Sequence, residues 1–231
     1  MNHWLTILTL VPFLGGIVVA GLGSERQKLV RNLALVSSLV TLAGALCLWL
    51  HFDSKVGGLQ FVERMEWVPS LGIQYFLGVD GLGLLMVMLT AIVTPLAILA
   101  SWNVSDRPHV FHALILWLQA GLLGTFTALN FFHWFLFWEL GLIPAFFLIK
   151  LWGGPKRGPA ATQFFIYTMV GSVALLLSFL AIRFATGSFD FIELAGMAKS
   201  GALTKQLASQ FAWKSIGLII FFTSQQGSVG K

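Results

Sequence analysis

The one stretch of this sequence that sets up chemistry by residue type and placement is Phe131–Leu148, FFHWFLFWELGLIPAFFL, with a single acid, Glu139, near its middle. Everything around Glu139 is aromatic or aliphatic. In a membrane span the carboxyl would sit near the bilayer midplane, where a charge costs about 2.5–3.5 kcal/mol on insertion scales. The surrounding Phe, Trp, Leu and Ile residues offset that cost, so the segment still inserts. Pro144 adds a second irregularity, because its missing N–H leaves the Leu140 carbonyl without a helical partner. Polar atoms then cluster at one depth and need protein or water around them. Two roles are open for Glu139. It is a neutral structural carboxyl bonded to a neighbouring helix, or an ionisable site on a proton or ion path.

Other reactive side chains form no such focus. The five histidines, His3, His51, His109, His112 and His133, are scattered. His109 and His112 are three apart at a helix start, a spacing that could meet a metal, but interface or hydrogen-bonding roles are expected. His133 lies six residues before Glu139, roughly 9 Å of helical rise, so a proton relay between them would need water. HExxH, GxSxG, P-loop and dinucleotide patterns are absent, which leaves no soluble enzyme class. No cofactor and no metal are expected. Cys47 is the only cysteine. It rules out a disulfide or a cysteine-cluster metal site within the chain, and is expected to be a small packed hydrophobe.

The elements that position Glu139 follow from composition. Of 231 residues, 57% are hydrophobic and only 10% charged, against about 25% charged in soluble domains. At about 20 residues per span, the chain has room for six or seven helices. The expected fold class is all-α: a polytopic transmembrane helical bundle with six full spans plus an incomplete seventh. The spans are Trp4–Leu22, Asn32–Leu50, one opened by Asp80, His109–Leu129, one ending at Lys150-Leu151-Trp152, and Ala160–Phe184. Pro12 bends the first. Asp80 complements the macrodipole of the third. In the fourth, Gly121 and Gly124 allow close packing, and Gln119 is expected to make an interhelical hydrogen bond. Asn130 leaves space only for a tight antiparallel turn into the fifth span. Arg183 ends the sixth and is expected to snorkel to the interface.

Two connections have a different character. His51–Leu77 reads as an exposed loop whose segments VERMEWVPS and GIQYFLGV suit a hairpin, with Trp67 and Tyr75 at the interface. From 185 to 214 the chain is a polar connection, with an amphipathic surface helix expected over Phe189–Leu207. Three regions result: 1–184 with six spans, 185–214 as the connection, and 215–231 as an incomplete seventh span with a polar tail. The formal charge of +5 sits in short turns. It therefore marks orientation rather than nucleic-acid binding. Arg26, Lys28 and Arg31 share a side with Lys150, Lys156 and Arg157. This predicts an outward N-terminus, cytoplasmic basic turns, and residence in the inner (cytoplasmic) membrane.

Several motifs in order carry a resemblance. YFLGVDGLG, WLQAGLLGTFTALNFFHWFLFWELGLIPAFFLIKLWGG and AATQFFIYTMVGS closely resemble the subunit M family (chain 4 in plastids and mitochondria) of NADH:quinone oxidoreductase, respiratory complex I. Its relatives include cation/proton antiporter and membrane-bound hydrogenase subunits. The resemblance implies proton translocation driven by quinone reduction elsewhere in a complex, with no redox cofactor on this chain. It implies other membrane-arm subunits and the lipid bilayer as partners, no nucleic acid, and quinone only indirectly. It matches Glu139 to the family's fifth-span channel glutamate, which pairs with a seventh-span lysine. That lysine has no counterpart here: the segment reads IIFFTSQQGSVGK, Lys214 is misplaced and Lys231 lies past the break. A truncated member is therefore expected, with a non-pumping remnant as an alternative to a working subunit.

Overall fold

The computed structural model describes residues 3–69 and 72–210. In chain order the elements are α1 (Trp4–Ala20), α2 (Gln27–His51), β1 (Gln60–Val68), β2 (Ile73–Val79), α3 (Gly81–Ala100), α4 (Pro108–Thr127), α5 (Phe131–Trp152), α6 (Arg157–Thr186), α7 (Phe191–Lys199) and α8 (Ala202–Gln210). The six helices α1–α6 fall on the six expected apolar runs. Five stretches are long and apolar enough to cross a membrane, namely Ser24–His51, Gly81–Ala100, Pro108–Thr127, Phe131–Trp152 and Arg157–Thr186, and α1 is a shorter apolar helix. The expected incomplete seventh span, 215–231, lies outside the described residues.

The helix ends obey local chemistry. Asp80 caps α3 by accepting from the Gly83 N–H at 2.7 Å. Asn130 caps α5 by accepting from the Phe132 N–H at 3.1 Å. Pro108 occupies the first turn of α4, where its missing N–H costs nothing. Pro12, Pro95 and Pro144 lie inside helices that continue through them. The basic turn after α1 is itself helical, so α2 begins earlier than hydropathy alone suggests.

α4 is the centre of the bundle. Of its apolar stretch 61% is buried, against 11% for α5 and for α6. α1, α3 and α5 surround it, and Trp117 Nε1 ties it to α1 by donating to the Phe13 carbonyl at 3.2 Å. In lipid the association of helices relies on close contact between small residues, and α4 meets α5 in this way. A Cβ on Gly121 would stand 2.8 Å from the Gly141 nitrogen, and one on Gly124 would overlap the Phe137 ring.

The expected hairpin forms, with β1 and β2 antiparallel beside an otherwise helical bundle. Three expectations need correction. That hairpin is not simply an exposed loop: β2 is mostly buried, because it lies over the ends of α3, α4 and α5. The amphipathic helix over Phe189–Leu207 is two short helices, α7 and α8. They are broken at Gly201, whose φ of +72° suits glycine. Cys47 is exposed rather than packed, on the outer side of α2.

Candidate functional site

The hairpin, the α4–α5 connection and the start of α7 are laced together by backbone. Leu129 N–H donates to the Phe76 carbonyl at 2.8 Å, Phe131 N–H to Phe189 at 2.9 Å, and Phe191 N–H to Leu129 at 3.0 Å. Phe131 is fully buried and stacks on Phe179 of α6 at 3.6 Å between ring centroids. It also packs against Phe189 and Phe191. These contacts hold the entrance of α5 beneath the hairpin and against α6. Arg64 of β1 closes the flank with an ion pair to Asp190 at 3.3 Å. Arg183 lies over the Phe189 ring and against the hairpin turn at Gly72. It therefore packs against the hairpin at the end of α6.

Glu139 lies two turns into α5. Its side chain is half-buried, and Oε1 is buried with no hydrogen-bond partner among the described residues. The reading of Glu139 as a carboxyl bonded to a neighbouring helix therefore finds no partner there. A buried carboxyl oxygen without a donor is costly, and such groups in native structures call for an explanation. One residue before it, Trp138 Nε1 donates to Ser172 of α6 at 3.3 Å, and Ser172 is itself buried. This bond fixes the rotation of α5 against α6 next to the acid.

α4 carries further unpaired polar atoms. Gln119 is 1% exposed, and neither its Oε1 nor its Nε2 has a partner. The expected interhelical hydrogen bond is absent among the described residues. His112 is fully buried. Its Nδ1 bonds the Pro108 carbonyl at 2.8 Å, and its Nε2 is unpaired. No group of metal-ligating side chains occurs among the described residues, so His109 and His112 do not converge on a third ligand.

A second polar group, under the hairpin, was not foreseen. Glu63 is the one buried residue of β1, at 4% exposure. It accepts from the Leu5 N–H at 2.7 Å and from the Thr6 hydroxyl, and His3 stands 3.9 Å away. The Thr6 hydroxyl also meets the Tyr75 hydroxyl at 2.8 Å. Glu63 thus satisfies orphan N-terminal donors of α1, where negative charge is favoured. Burial pushes the Tyr75 phenol above its usual pKa, the Thr6 hydrogen bond opposes this, and the Glu63 charge adds to it. The signal for Glu63 was hidden. A register shift between Gln60 and Glu63, with Phe61 at φ +53°, turns its side chain inward. His133 lies next to this group, 3% exposed, with its ring edge-on to Tyr75 at 4.8 Å.

This fold, with a lone acid inside an apolar helix, is that of a polytopic helical membrane protein, and sequence comparison places it further. Residues 5–125 match the family described as NADH-ubiquinone oxidoreductase chain 4, amino terminus, and residues 128–225 match that described as NADH:quinone oxidoreductase/Mrp antiporter, TM. The chain belongs to the NADH-ubiquinone oxidoreductase chain 4 family. It is 42% identical over 189 residues to NAD(P)H-quinone oxidoreductase chain 4 1 of Synechococcus elongatus, covering 81% of this chain and 36% of that protein. It is 38% identical over 196 residues to F(420)H(2) dehydrogenase subunit M of Methanosarcina mazei, covering 82% and 39%. Among solved structures, a chain of respiratory complex I from Thermus thermophilus matches with a TM-score of 0.70 and 29% identity, over 81% of this chain and 37% of that one. A chain of the Mrp complex from Dietzia shares the fold, with a TM-score of 0.71 at 22% identity, over 89% and 22%. The chain spans well under half the length of the curated relatives it matches.

Proposed function

We propose that this chain is a membrane-arm subunit of an NADH:quinone oxidoreductase, and that it contributes to proton translocation coupled to quinone reduction. Glu139 is its proton-channel carboxylate. The observation that carries this reading is the Glu139 Oε1 atom, buried without a partner inside an apolar helix. A purely structural acid would be bonded, whereas a proton-accepting site needs a free oxygen at the moment of transfer. The family and the relatives named quinone oxidoreductase chain 4 support the assignment. The chain does no redox chemistry. Its partners are the other membrane-arm subunits and the bilayer, and quinone acts on it only from a distance.

In this reading all six helices of residues 1–184 cross the membrane. α1 has 17 residues, about 25 Å of rise, and a slightly thinned bilayer accommodates it. The N-terminus and the hairpin face outward from the inner membrane. The turns with Arg26, Lys28 and Arg31 and with Lys150, Lys156 and Arg157 face the cytoplasm, by the excess of basic residues there. The start of the connection, at Asp190, lies against the hairpin face.

The test is Glu139→Gln in the assembled, reconstituted complex. Translocation coupled to quinone reduction falls to background while insertion and assembly persist. Unchanged pumping rejects the assignment. A second reading, a subunit of a multisubunit cation/proton antiporter, is supported by the shared Mrp description of residues 128–225. Sodium-dependent proton exchange without any quinone reductase activity would favour it.

A further inference from the structure

We propose that the seam between α5 and α6, at the end of the bundle away from the hairpin, seats one anionic phospholipid. Its phosphate lies at Lys156 and Arg157, and its acyl chain runs between the two helices. This rests on the reading of α5 and α6 as membrane spans.

Two long-range bonds gather that end of the bundle. Arg31 of α2 donates to the Val104 carbonyl at 3.1 Å, and Trp152 Nε1 at the end of α5 donates to the Asp106 carbonyl at 3.0 Å. The turns after α1, α3 and α5 therefore share one end. Residues 21–31, 101–107 and 150–157 hold seven of the chain's 14 Lys and Arg residues, but only two of its nine acids, Glu25 and Asp106. Asp106 stands 3.9 Å from Arg107 Nε. Lys150, Lys156 and Arg157 have no acid within ion-pair distance among the described residues. Such cations at the end of two apolar helices meet the headgroup layer. Each one near an anionic lipid surface strengthens binding by about fivefold.

The shape suits an amphiphile better than a free anion. Lys156 and Arg157 are exposed beside a cleft of about 480 Å³ whose other walls include Ile149, Pro155 and Ala160. Arg157 Nη1 donates to the Leu151 carbonyl at 2.6 Å, which uses one of its five donors. Lys150 lies over the Phe146 ring at 5.2 Å, and Phe146 packs on Phe165 of α6 at 5.2 Å, so a third cation stands at the same seam. Below the cleft the same helix faces continue. Ile149 and Ala145 are one turn apart on α5, and Ala160, Phe164 and Thr168 are successive turns on α6. Ala145, Phe164 and Thr168 line a second cavity, of about 310 Å³, where α5 and α6 meet α4. Its walls are almost wholly apolar, and the Thr168 hydroxyl is already spent on the Phe164 carbonyl at 2.6 Å. This trough offers an ion nothing to bond, but it suits hydrocarbon. The rise from Ile149 to Gly141 is about 12 Å, within one leaflet of about 15 Å of hydrocarbon. Lipid can reach the seam from outside, because only 11% of the apolar stretch of α5 and of α6 is buried.

The test uses the full chain in detergent, titrated with phosphatidylglycerol or with phosphatidylcholine of the same acyl chains, and bound lipid is counted by native mass spectrometry. One phosphatidylglycerol held at least about tenfold tighter than phosphatidylcholine is expected. Lys156→Gln combined with Arg157→Gln should weaken phosphatidylglycerol by about thirtyfold, at about fivefold per cation, and leave phosphatidylcholine unchanged. Arg157→Lys, which keeps the charge, should keep most of the preference. Arg26→Gln combined with Lys28→Gln removes the same charge from the α1–α2 turn, and an equal loss there overturns the seat in favour of diffuse attraction. Equal binding of the two lipids also overturns it. So does displacement by inorganic phosphate, which would mark a simple anion site. A phosphatidylglycerol with a photoreactive acyl chain then probes the trough in the assembled complex, where label is expected within residues 141–168. If none is found there, a neighbouring helix fills the seam and the inference fails. A chain washed out of membranes at alkaline pH would defeat the reading of α5 and α6 as spans. A chain that stays but shows no lipid preference defeats only the seat.

Discussion

Gly121 of α4 lies against the backbone of Gly141 of α5 so closely that a Cβ on Gly121 would stand 2.8 Å from the Gly141 nitrogen and 2.9 Å from its Cα. Backbone cannot rotate aside as a side chain can. Gly121→Ala should therefore destabilise the protein by about 1–3 kcal/mol, the usual range for overpacking. Thermal unfolding of the purified protein in detergent checks this. An unshifted midpoint would mean that the helices can part at no cost.

Glu139 behaves in the opposite sense. Its buried Oε1 has no partner to lose, so Glu139→Gln and Glu139→Leu should leave the unfolding midpoint unchanged or raise it. Glu139→Leu should also ease insertion by up to about 3 kcal/mol. A lowered midpoint for both variants would show the acid to be structural.

The hairpin anchor is stabilising. Glu63→Ala removes the acceptor for the Leu5 N–H and the Thr6 hydroxyl and should cost about 1–3 kcal/mol. Glu63→Gln keeps an acceptor oxygen and should cost less. Hydrogen exchange at Leu5 and Thr6 reports the loss locally, and equal protection in the alanine variant would contradict the anchor.

Tyr75 gives the same region an alkaline limit. Its folded pKa is raised, chiefly by burial, from an ordinary value of 10.0. The folded state thus holds this proton more tightly than the unfolded chain does. The stability it contributes is fully present below pH 10 and declines as pH rises from there through the folded pKa. Tyr75→Phe should remove that part of the alkaline decline, which melts taken between pH 8 and 11 would reveal as a flatter profile for the variant.

Asp190 serves two elements at once. One carboxylate oxygen accepts from the Ile192 and Glu193 N–H groups at 2.8 and 3.3 Å, and the other takes the Arg64 guanidinium. Asp190→Ala should cost about 0.5–2 kcal/mol as a lost helix cap and loosen the hairpin flank. Arg64→Ala should cost under about 1 kcal/mol, because that side chain is half exposed. Faster amide exchange at Ile192 and Glu193 in Asp190→Ala, but not in Arg64→Ala, is the expected pattern.

What could be read from residue order was whatever depends on near neighbours. Phe131–Trp152 shows itself as a helix by twenty-two positions of which only His133, Glu139 and Lys150 are not apolar, with Asn130 before and Gly153 after. Asp80 shows itself as an acid suited to a helix start by its place before GLGLL, and the structure makes it the cap. Gly121 and Gly124 announce close packing by lacking side chains. The break at Gly201 was missed, because the amphipathic pattern continues on both sides of it.

Contacts between distant positions were not legible. Glu63 reads as one more charge in a polar loop, yet a bulge turns it onto Thr6, 57 residues earlier in the chain. Arg183 reads as a cation at the end of the sixth span, and its seat on Phe189 and the hairpin turn was not legible. Gln119 and the Glu139 carboxyl read alike as polar groups awaiting partners, and for neither did the fold supply one among the described residues. Hydropathy is a sum over adjacent side chains, so it alone determined which stretches leave water and where the lone acid sits within them. Which polar groups then meet depends on helix rotation and strand register, and those are settled only when all the elements pack at once.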